Sequence, residues 1–136
     1  MSLLRPTALA FAALSLTACA TAPRLSCAPA QQALIADELF LGTAMPHGQV
    51  TPEQWQAFLG EEVTPRFPQG LSVVSATGQW RGNDGSIVRE SSYVLTLVHP
   101  DDAASEASIQ AISQAYKTRF QQEAVMRLKQ RACTSF

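Results

Sequence analysis

The chain has 136 residues, a length that fits one domain. Its hydrophobic content of 46% and its charged content of 15% are typical of a globular protein and exclude a largely disordered chain. A formal net charge of −1 excludes a general nucleic-acid binder, which would be strongly basic.

Residues 1–18 have the pattern of an export signal peptide. Arg5 supplies an early positive charge, and the apolar run at residues 8–16 is too short to span a bilayer stably. The LTAC sequence that ends at Cys19 resembles the lipobox of bacterial lipoproteins, in which the chain is cut before the cysteine and that cysteine is acylated. The alternative is an ordinary A-x-A cleavage site at residues 18–20 or 20–22. Both interpretations export the protein.

The segment after Cys19 indicates where the protein would be anchored. Ala20 occupies the position at which bacterial sorting rules place Asp to retain a lipoprotein in the inner membrane. In a host with two membranes we therefore expect a lipid anchor in the outer membrane and a domain on the periplasmic side. Residues 19–36 should form a short tether because Pro23 and Pro29 oppose regular structure. Residues 37–136 are left for a single folded domain.

Two cysteines remain outside the lipobox, Cys27 near the start of the mature chain and Cys133 near its end. An even pair in an oxidising compartment predicts a disulfide. It would close a loop around nearly the whole domain, which the chain-entropy model values at roughly 4–5 kcal/mol. The alternative is two unrelated thiols.

In chain order, the domain begins with a predicted strand at residues 38–45. A helix should start at Thr51, because Thr is a good N-cap, Pro52 suits the first helical position and Gln54 completes a capping box. Pro65 should end this helix, since the residue before a proline avoids helical geometry. Its apolar stripe repeats at helical spacing: Trp55, Phe58, Leu59 and Val63.

Two long strands within residues 70–100 come next and form a predicted hairpin. The Gly82-Asn83-Asp84-Gly85 reversal between them tolerates the positive φ that tight hairpin turns need. A last strand is expected at residues 124–133. Between the hairpin and this last strand, a second helix should follow Asp101 and Asp102. Its apolar stripe is Ile109, Ile112, Ala115, Tyr116 and Phe120.

The β-α-β-β-α-β order predicts an α+β, ferredoxin-like fold, with a four-stranded antiparallel sheet and two helices on one face. The first and third strands should be central because they are the most continuously apolar. The fourth should be an edge strand, since alternating basic side chains protect an edge from pairing: Arg127, Lys129 and Arg131. Its other parity should then meet the helices: Met126, Leu128 and Ala132.

The sheet face away from the helices is expected to be covered by another surface. The third strand is apolar on both parities, with Tyr93, Leu95 and Leu97 alternating against Val94 and Val98. Contiguous exposed apolar surface usually marks an interface. We expect a homodimer, formed by a second copy across a two-fold axis. The alternative is that the tether folds back and covers the face with Leu34 and Ile35.

A candidate ligand pocket lies beside the hairpin turn. Arg81 and Arg89 flank the turn, and polar groups assembled around them would recognise an anion or a sugar, although the sequence does not identify the ligand. The alternative is ordinary cross-strand pairing on an exposed sheet face. The candidate lining residues are Gln79, Trp80, Arg81, Arg89, Glu90, Ser91 and Tyr93.

The segment from His99 to Asp102 gathers a histidine and two carboxylates, which would suit either a metal ion or a capped helix N-terminus. We favour the cap and expect no metal and no other cofactor. The sequence has no H-E-x-x-H, no G-x-S-x-G and no glycine-rich phosphate loop. No catalytic residue is therefore assigned.

The last quarter of the chain is basic. It would contact an anionic lipid or glycan, or simply keep a sheet edge solvated. Its basic residues are Lys117, Arg119, Arg127, Lys129 and Arg131.

Several motifs together resemble one family: EEVTPRFPQGL, GQWR, RESS, HPDD and YKTRFQQEAV. They are similar to those of small bacterial lipoproteins known only as a domain of unknown function. The resemblance covers residues 38–136 and implies export and a single domain. It brings no catalytic residues.

Two functions are compatible with these patterns. The first is a non-enzymatic envelope lipoprotein whose domain binds itself, another protein or an envelope polymer. The second is a small enzyme or ligand binder of the dimeric α+β barrel type, in which two ferredoxin-like sheets enclose a pocket. Arg89, Ser91 and Tyr93 alternate along one strand face, and Arg127 and Lys129 are expected to share that face, which bears on the second function.

Overall fold

The structure is a computed structural model that describes residues 26–81 and 84–135. Its four long strands form one antiparallel sheet in the spatial order β4-β5-β1-β6, so the first and third long strands are central. The predicted ferredoxin-like α+β fold is therefore confirmed. In chain order the elements are β1 (Gln32–Gly42), β2 (Ala44–Met45), β3 (Gly48–Gln49), α1 (Pro52–Phe58), a π-helical turn (Leu59–Val63), β4 (Ser72–Arg81), β5 (Ile87–His99), α2 (Ala103–Phe120) and β6 (Met126–Thr134).

The first strand begins earlier than predicted, at Gln32 and not at residue 38. Gln32 pairs with Thr134 at the end of β6, so residues 32–36 belong to the sheet and not to the tether. Burial explains the extension, because Ile35 is only 2% exposed between β5 and β6. Cys19 and the predicted signal peptide lie outside the described residues.

The predicted disulfide is confirmed. Cys27 and Cys133 are bonded, with a Cα–Cα distance of 5.4 Å and a separation of 106 residues along the sequence. Because Cys133 lies in β6, the bond fixes the segment that precedes β1 to an edge strand of the sheet.

The first helix starts as the sequence predicts. The Gln54 amide donates to the Thr51 hydroxyl at 3.2 Å, and the Thr51 amide donates to the Gln54 side chain at 2.9 Å, which completes the capping box. The π-helical turn continues the helix and ends before Pro65. The predicted apolar stripe packs into the core: Trp55, Phe58, Leu59 and Val63.

The second helix covers the same face of the sheet, which we call the helix side. Asp102 is its N-cap and accepts a hydrogen bond from the Ser105 amide at 2.7 Å. The Tyr116 hydroxyl donates to the Gly42 carbonyl at 2.8 Å and so ties α2 to β1. The whole predicted stripe packs into the core: Ile109, Ile112, Ala115, Tyr116 and Phe120.

The last strand faces the opposite way from the prediction. Its basic residues lie on the helix side, where Arg127 and Lys129 both bind Glu106 of α2. Met126 and Leu128 lie on the other face and are 60% and 48% exposed. The prediction placed Met126 and Leu128 against the helices. The basic residues lie there instead, because Asp37 of β1 and Glu106 of α2 bind them. A strand has only these two orientations, so one choice reverses every side chain.

The sheet face away from both helices, which we call the open face, carries large and exposed apolar side chains. Leu34 and Ile35 are residues of β1, so these two do not fold back over the open face as the alternative required, whereas residues 19–25 of the predicted tether lie outside the described residues. Within residues 26–81 and 84–135, no helix has the length and apolar character needed to cross a membrane. The most exposed members of the open face are Val74, Trp80, Val98, Met126 and Leu128.

Candidate functional site

The seven candidate pocket residues do not share one face of the sheet. Gln79 pairs with Arg89, and Ser75 pairs with Tyr93, whose ring stacks on Trp55 of α1, so this parity of the hairpin lies on the helix side. Trp80 and Glu90 lie on the open face because neighbouring strand residues point to opposite faces. A single pocket lined by all seven residues therefore does not form. The helix-side members are Gln79, Arg81, Arg89, Ser91 and Tyr93.

The helix-side members border a polar groove along the β4–β5 hairpin. β5 pairs with β1 only as far as Ser92, so towards its turn the hairpin projects beyond the rest of the sheet. Two adjoining cavities, of about 400 and about 430 Å³, share Gln49, Thr77 and Ser91. We call the two cavities together the trough. Its other lining residues include Thr43, Val50, Pro52, Ser75, Gln79, Arg89 and Tyr93.

Short contacts hold the walls of the trough. Thr43 donates to the Ser91 carbonyl through its amide at 3.0 Å and through its hydroxyl at 2.9 Å. The Thr43 carbonyl accepts from the Val50 amide at 2.8 Å. At the other end, the Tyr93 and Trp55 rings are nearly parallel, with centroids 4.3 Å apart. The loop and the hairpin are thus fixed against each other, and the trough is preformed.

A buried charge network lies beside the start of α2. Asp37 is fully buried and accepts two hydrogen bonds from Arg127, from Nε to Oδ1 and from Nη2 to Oδ2, each 2.7 Å long. Nε2 of His99 lies 2.8 Å from Asp37 Oδ2, and its Nδ1 lies 2.8 Å from the Pro100 carbonyl oxygen. Arg127 also donates to both carboxylate oxygens of Glu106, at 2.6 and 2.9 Å. The guanidinium therefore links β1 to α2.

The partners of these carboxylates favour their ionised forms. Burial by itself raises the pKa of Asp37, but hydrogen bonds from Arg127 and His99 bring that pKa below its ordinary value overall. Hydrogen bonds from Arg127, Lys129 and Gln110 hold the pKa of Glu106 far below its usual range. Hydrogen bonds to Asp37 and Glu106 raise the pKa of Arg127 further. Opposite charges thus compensate one another within the network.

This network suits a structural role. Every buried polar side-chain atom within the described ranges has a hydrogen-bond partner. Both ring nitrogens of His99 already face acceptor oxygens, and neither His99 nor Asp37 lines the trough. The contacts engage both ring nitrogens of His99 and both carboxylate oxygens of Asp37.

Sequence reasoning missed Asp37, although a signal was present. Asp37 alternates with Ile35, Leu39 and Leu41, so it shares the parity that forms the core. A carboxylate in such a row needs a buried partner, because an unpaired charge in the interior is costly. The alternating basic residues of the last strand are the candidates for that partner: Arg127, Lys129 and Arg131.

The His99 to Asp102 segment divides between two roles. His99 joins the network, whereas Asp102 caps α2 as expected, and the Ser105 amide lowers the pKa of Asp102. Asp101 pairs with Arg131 on the last strand. In the part of the chain that the structure describes, no group of three or more His, Cys, Asp or Glu side chains is placed to hold a metal ion.

Carboxylate partners also account for most of the basic last quarter. Arg119 donates to Glu61 at 2.7 Å, and the basic side chains of β6 bind Asp37, Asp101 and Glu106. This surface is therefore largely neutralised by the protein itself.

The fold is shared with solved structures of other proteins. A phage SAM lyase in complex with S-methyl-5'-thioadenosine is similar with a TM-score of 0.55 at 14% identity, covering 85% of this chain and 97% of that chain. The phage SAM lyase in its apo state gives 0.55 at 18% identity, covering 76% and 86% of the two chains. CutA from Synechococcus elongatus gives 0.51 at 14% identity, covering 76% and 80%. At such identities the likeness is one of fold alone.

The curated proteins contain no match to this chain. The model of one protein family does match, over residues 36–136, which is most of the chain and all of the sheet except the start of β1. The chain therefore belongs to the family described as Protein of unknown function (DUF3574).

Proposed function

We propose that this protein is exported, anchored by a lipid on Cys19 to the periplasmic side of the bacterial envelope, and self-associates through the open face of its sheet. The observation that carries the proposal is the apolar open face. Met126, Val74 and Trp80 keep half or more of their surface exposed, at 60%, 62% and 50%.

The composition of the open face supports an interface. Large side chains come from both edge strands and from the central β5, so the apolar surface runs across the sheet. Each such side chain contributes roughly 1.5–3 kcal/mol when it is fully buried. Exposed apolar patches of this kind usually mark binding sites. A second copy is the simplest partner, because a two-fold axis covers the same face on both chains.

The disulfide supports export. Disulfides persist mainly in oxidising compartments such as the bacterial periplasm, and Cys27 and Cys133 are bonded. The apolar run and the LTAC sequence that precede this domain give the same indication independently. Ala20 after the lipidated cysteine favours the outer membrane in a host that has one.

Self-association is tested with the mature chain, from residue 19 onward, in which Cys19→Ser removes the lipid. This soluble form should be a dimer by light scattering, and Leu128→Ser should weaken its association at least tenfold, in line with the apolar burial that is lost. Ile87→Ser is the matched control, because Ile87 is equally exposed, 52% against 48%, but has the helix-side parity. A stable monomer before any substitution would reject the proposal.

The anchor is tested by metabolic labelling. The full chain should incorporate radiolabelled palmitate and sediment with membranes, because the LTAC sequence ends the apolar run. Cys19→Ser should abolish the label, whereas Cys27→Ser should leave the label in place. Equal labelling of the Cys19→Ser chain would refute lipidation at this position.

Ligand binding is a second candidate function, favoured by the polar trough. In a dimeric α+β barrel the two open faces enclose the pocket. Arg89, Ser91 and Tyr93 lie on the helix side, so they give no support to a pocket of that kind. The likeness to the SAM lyase carries no activity to this chain at 14–18% identity. The trough lies on the helix side, so a ligand bound there would lie outside a barrel of that kind.

A further inference from the structure

We infer that the trough is a binding site for an anionic, hydroxyl-rich ligand, a carboxylated sugar of about two rings. The trough lies on the helix side, opposite the face proposed to self-associate. The inference rests on the second candidate function, ligand binding in the trough, and is independent of self-association through the open face. The two cavities, of about 400 and about 430 Å³, fall within the usual range for small-molecule sites.

The floor of the trough offers hydrogen-bonding side chains that no other described residue engages. Ser75 and Thr77 project from β4, and Ser91 from β5, on one face of the hairpin. Gln49 and Gln79 add amides, each with donors and an acceptor. Across residues 26–81 and 84–135, no hydrogen bond engages the side chains of Ser75, Thr77, Gln79 or Gln49. Sugar hydroxyls both donate and accept, so they match this mixture.

The charge around the trough favours an anion. Arg89 lines it, and Arg81 has the same parity nearer the turn. Glu90 also lines the second cavity, but its carboxylate lies against Gly42 of β1, where an added Cβ would be 2.3 Å from Glu90 Oε1. A guanidinium binds a carboxylate through two parallel hydrogen bonds, which gives Arg89 a specific partner.

Tyr93 closes one end of the trough with a fixed aromatic ring. The ring is held by Trp55, which is itself only 3% exposed, so its orientation is set by the core. A rigid ring beside hydroxyl and amide groups provides apolar contact for a sugar without an ordering cost on binding.

The test is titration of the mature Cys19→Ser chain, from residue 19 onward, with a muramic-acid disaccharide, with digalacturonate and with neutral chitobiose, followed by amide NMR and calorimetry. The carboxylated probes should bind and shift the amides of residues 75–79 and 89–93. Binding of one acidic probe or of both supports the inference and distinguishes a peptidoglycan source from an acidic-polysaccharide source. Chitobiose should bind at least tenfold more weakly.

Two substitutions and one control separate a specific site from a general charge effect. Arg89→Gln should weaken binding of the acidic probes about tenfold or more, and Thr77→Val should weaken it less. Arg66→Gln is the control, because Arg66 is also a surface arginine but pairs with Glu62 outside the trough. Equal loss with Arg66→Gln, equal binding of chitobiose, shifts outside the trough or no binding at millimolar concentration would overturn the inference.

Discussion

At the scale of single residues, we expect substitution of Asp37 to have the largest effect on stability. It is the only carboxylate with a fully buried side chain in the part of the chain that is described, and both of its oxygens accept from Arg127. A buried ion pair often adds little stability compared with an apolar replacement, but removal of one member leaves the other uncompensated. Asp37 is therefore a position where a small chemical change should have a large effect.

The substitution Asp37→Asn keeps the shape of the side chain and removes its charge. We expect it to lower the free energy of unfolding by about 3 kcal/mol, the lower end of the usual range, because Arg127 keeps Glu106 as a partner. Asp101→Asn is the control, and its exposed pair with Arg131 should be worth at most about 1 kcal/mol. Urea denaturation at neutral pH measures both. Similar losses for the two variants would contradict a special role for Asp37.

The same residue predicts a pH dependence. The pKa of Asp37 is lowered in the folded state, so the unfolded chain binds more protons once the pH falls towards the ordinary value of 3.8. The stability that Asp37 contributes is thus complete above that value and is lost as the pH falls through the folded pKa. The difference in unfolding free energy between the natural chain and Asp37→Asn should narrow between about pH 5 and pH 2. A constant difference would contradict this assignment.

At the scale of elements, each helix begins at a residue whose side chain caps it. Each strand is oriented by the contacts that its side chains make with the helices. α1 has only seven helical residues before its π-helical turn, so its start depends on the Thr51 capping box. The orientation of β6 depends on ion pairs with α2. Because these pairs place the basic side chains on the helix side, Met126 and Leu128 are exposed on the other face. The open face is in part a consequence of that choice.

The cap gives a prediction for α1. Thr51→Ala should lower the free energy of unfolding by about 1 kcal/mol, because the Gln54 amide loses its acceptor. Thr51→Ser keeps a hydroxyl at the same place and should lose much less. The midpoint of urea denaturation, at an unchanged slope, measures the effect. An equal loss in both variants would mean that the methyl group, and not the cap, is responsible.

At the scale of the whole molecule, the disulfide joins the two ends of the described chain. The two cysteines are 106 positions apart in the sequence, so removal of the bond should restore much conformational freedom to the unfolded state. Replacing Cys27 and Cys133 by Ser should lower the free energy of unfolding by about 4–5 kcal/mol. Cys19→Ser is the control and should leave it unchanged. Thiol titration of that denatured, unreduced control should detect no free thiol, and two free thiols would contradict the bond.

The sequence by itself determined the order of the four long strands and two helices, the helix starts and the disulfide, but not the short β2–β3 sheet. These features depend on neighbouring residues or on simple counting: Thr51 and Gln54 cap their own helix, Asp102 caps the next, and two cysteines remain after the lipobox. The central positions of β1 and β5 followed as well, because these are the most continuously apolar of the four long strands.

Only the tertiary structure decided which way each strand faces. Alternation along a strand divides its residues into two sets, but it does not say which set meets the helices. For β6 the decision came from Glu106, which is distant in sequence, and for the hairpin it came from Trp55 stacking on Tyr93. The burial of Asp37, the division of the candidate pocket between two faces and the existence of the trough all follow from those contacts, because side chains far apart in the chain become neighbours only when the sheet and helices pack.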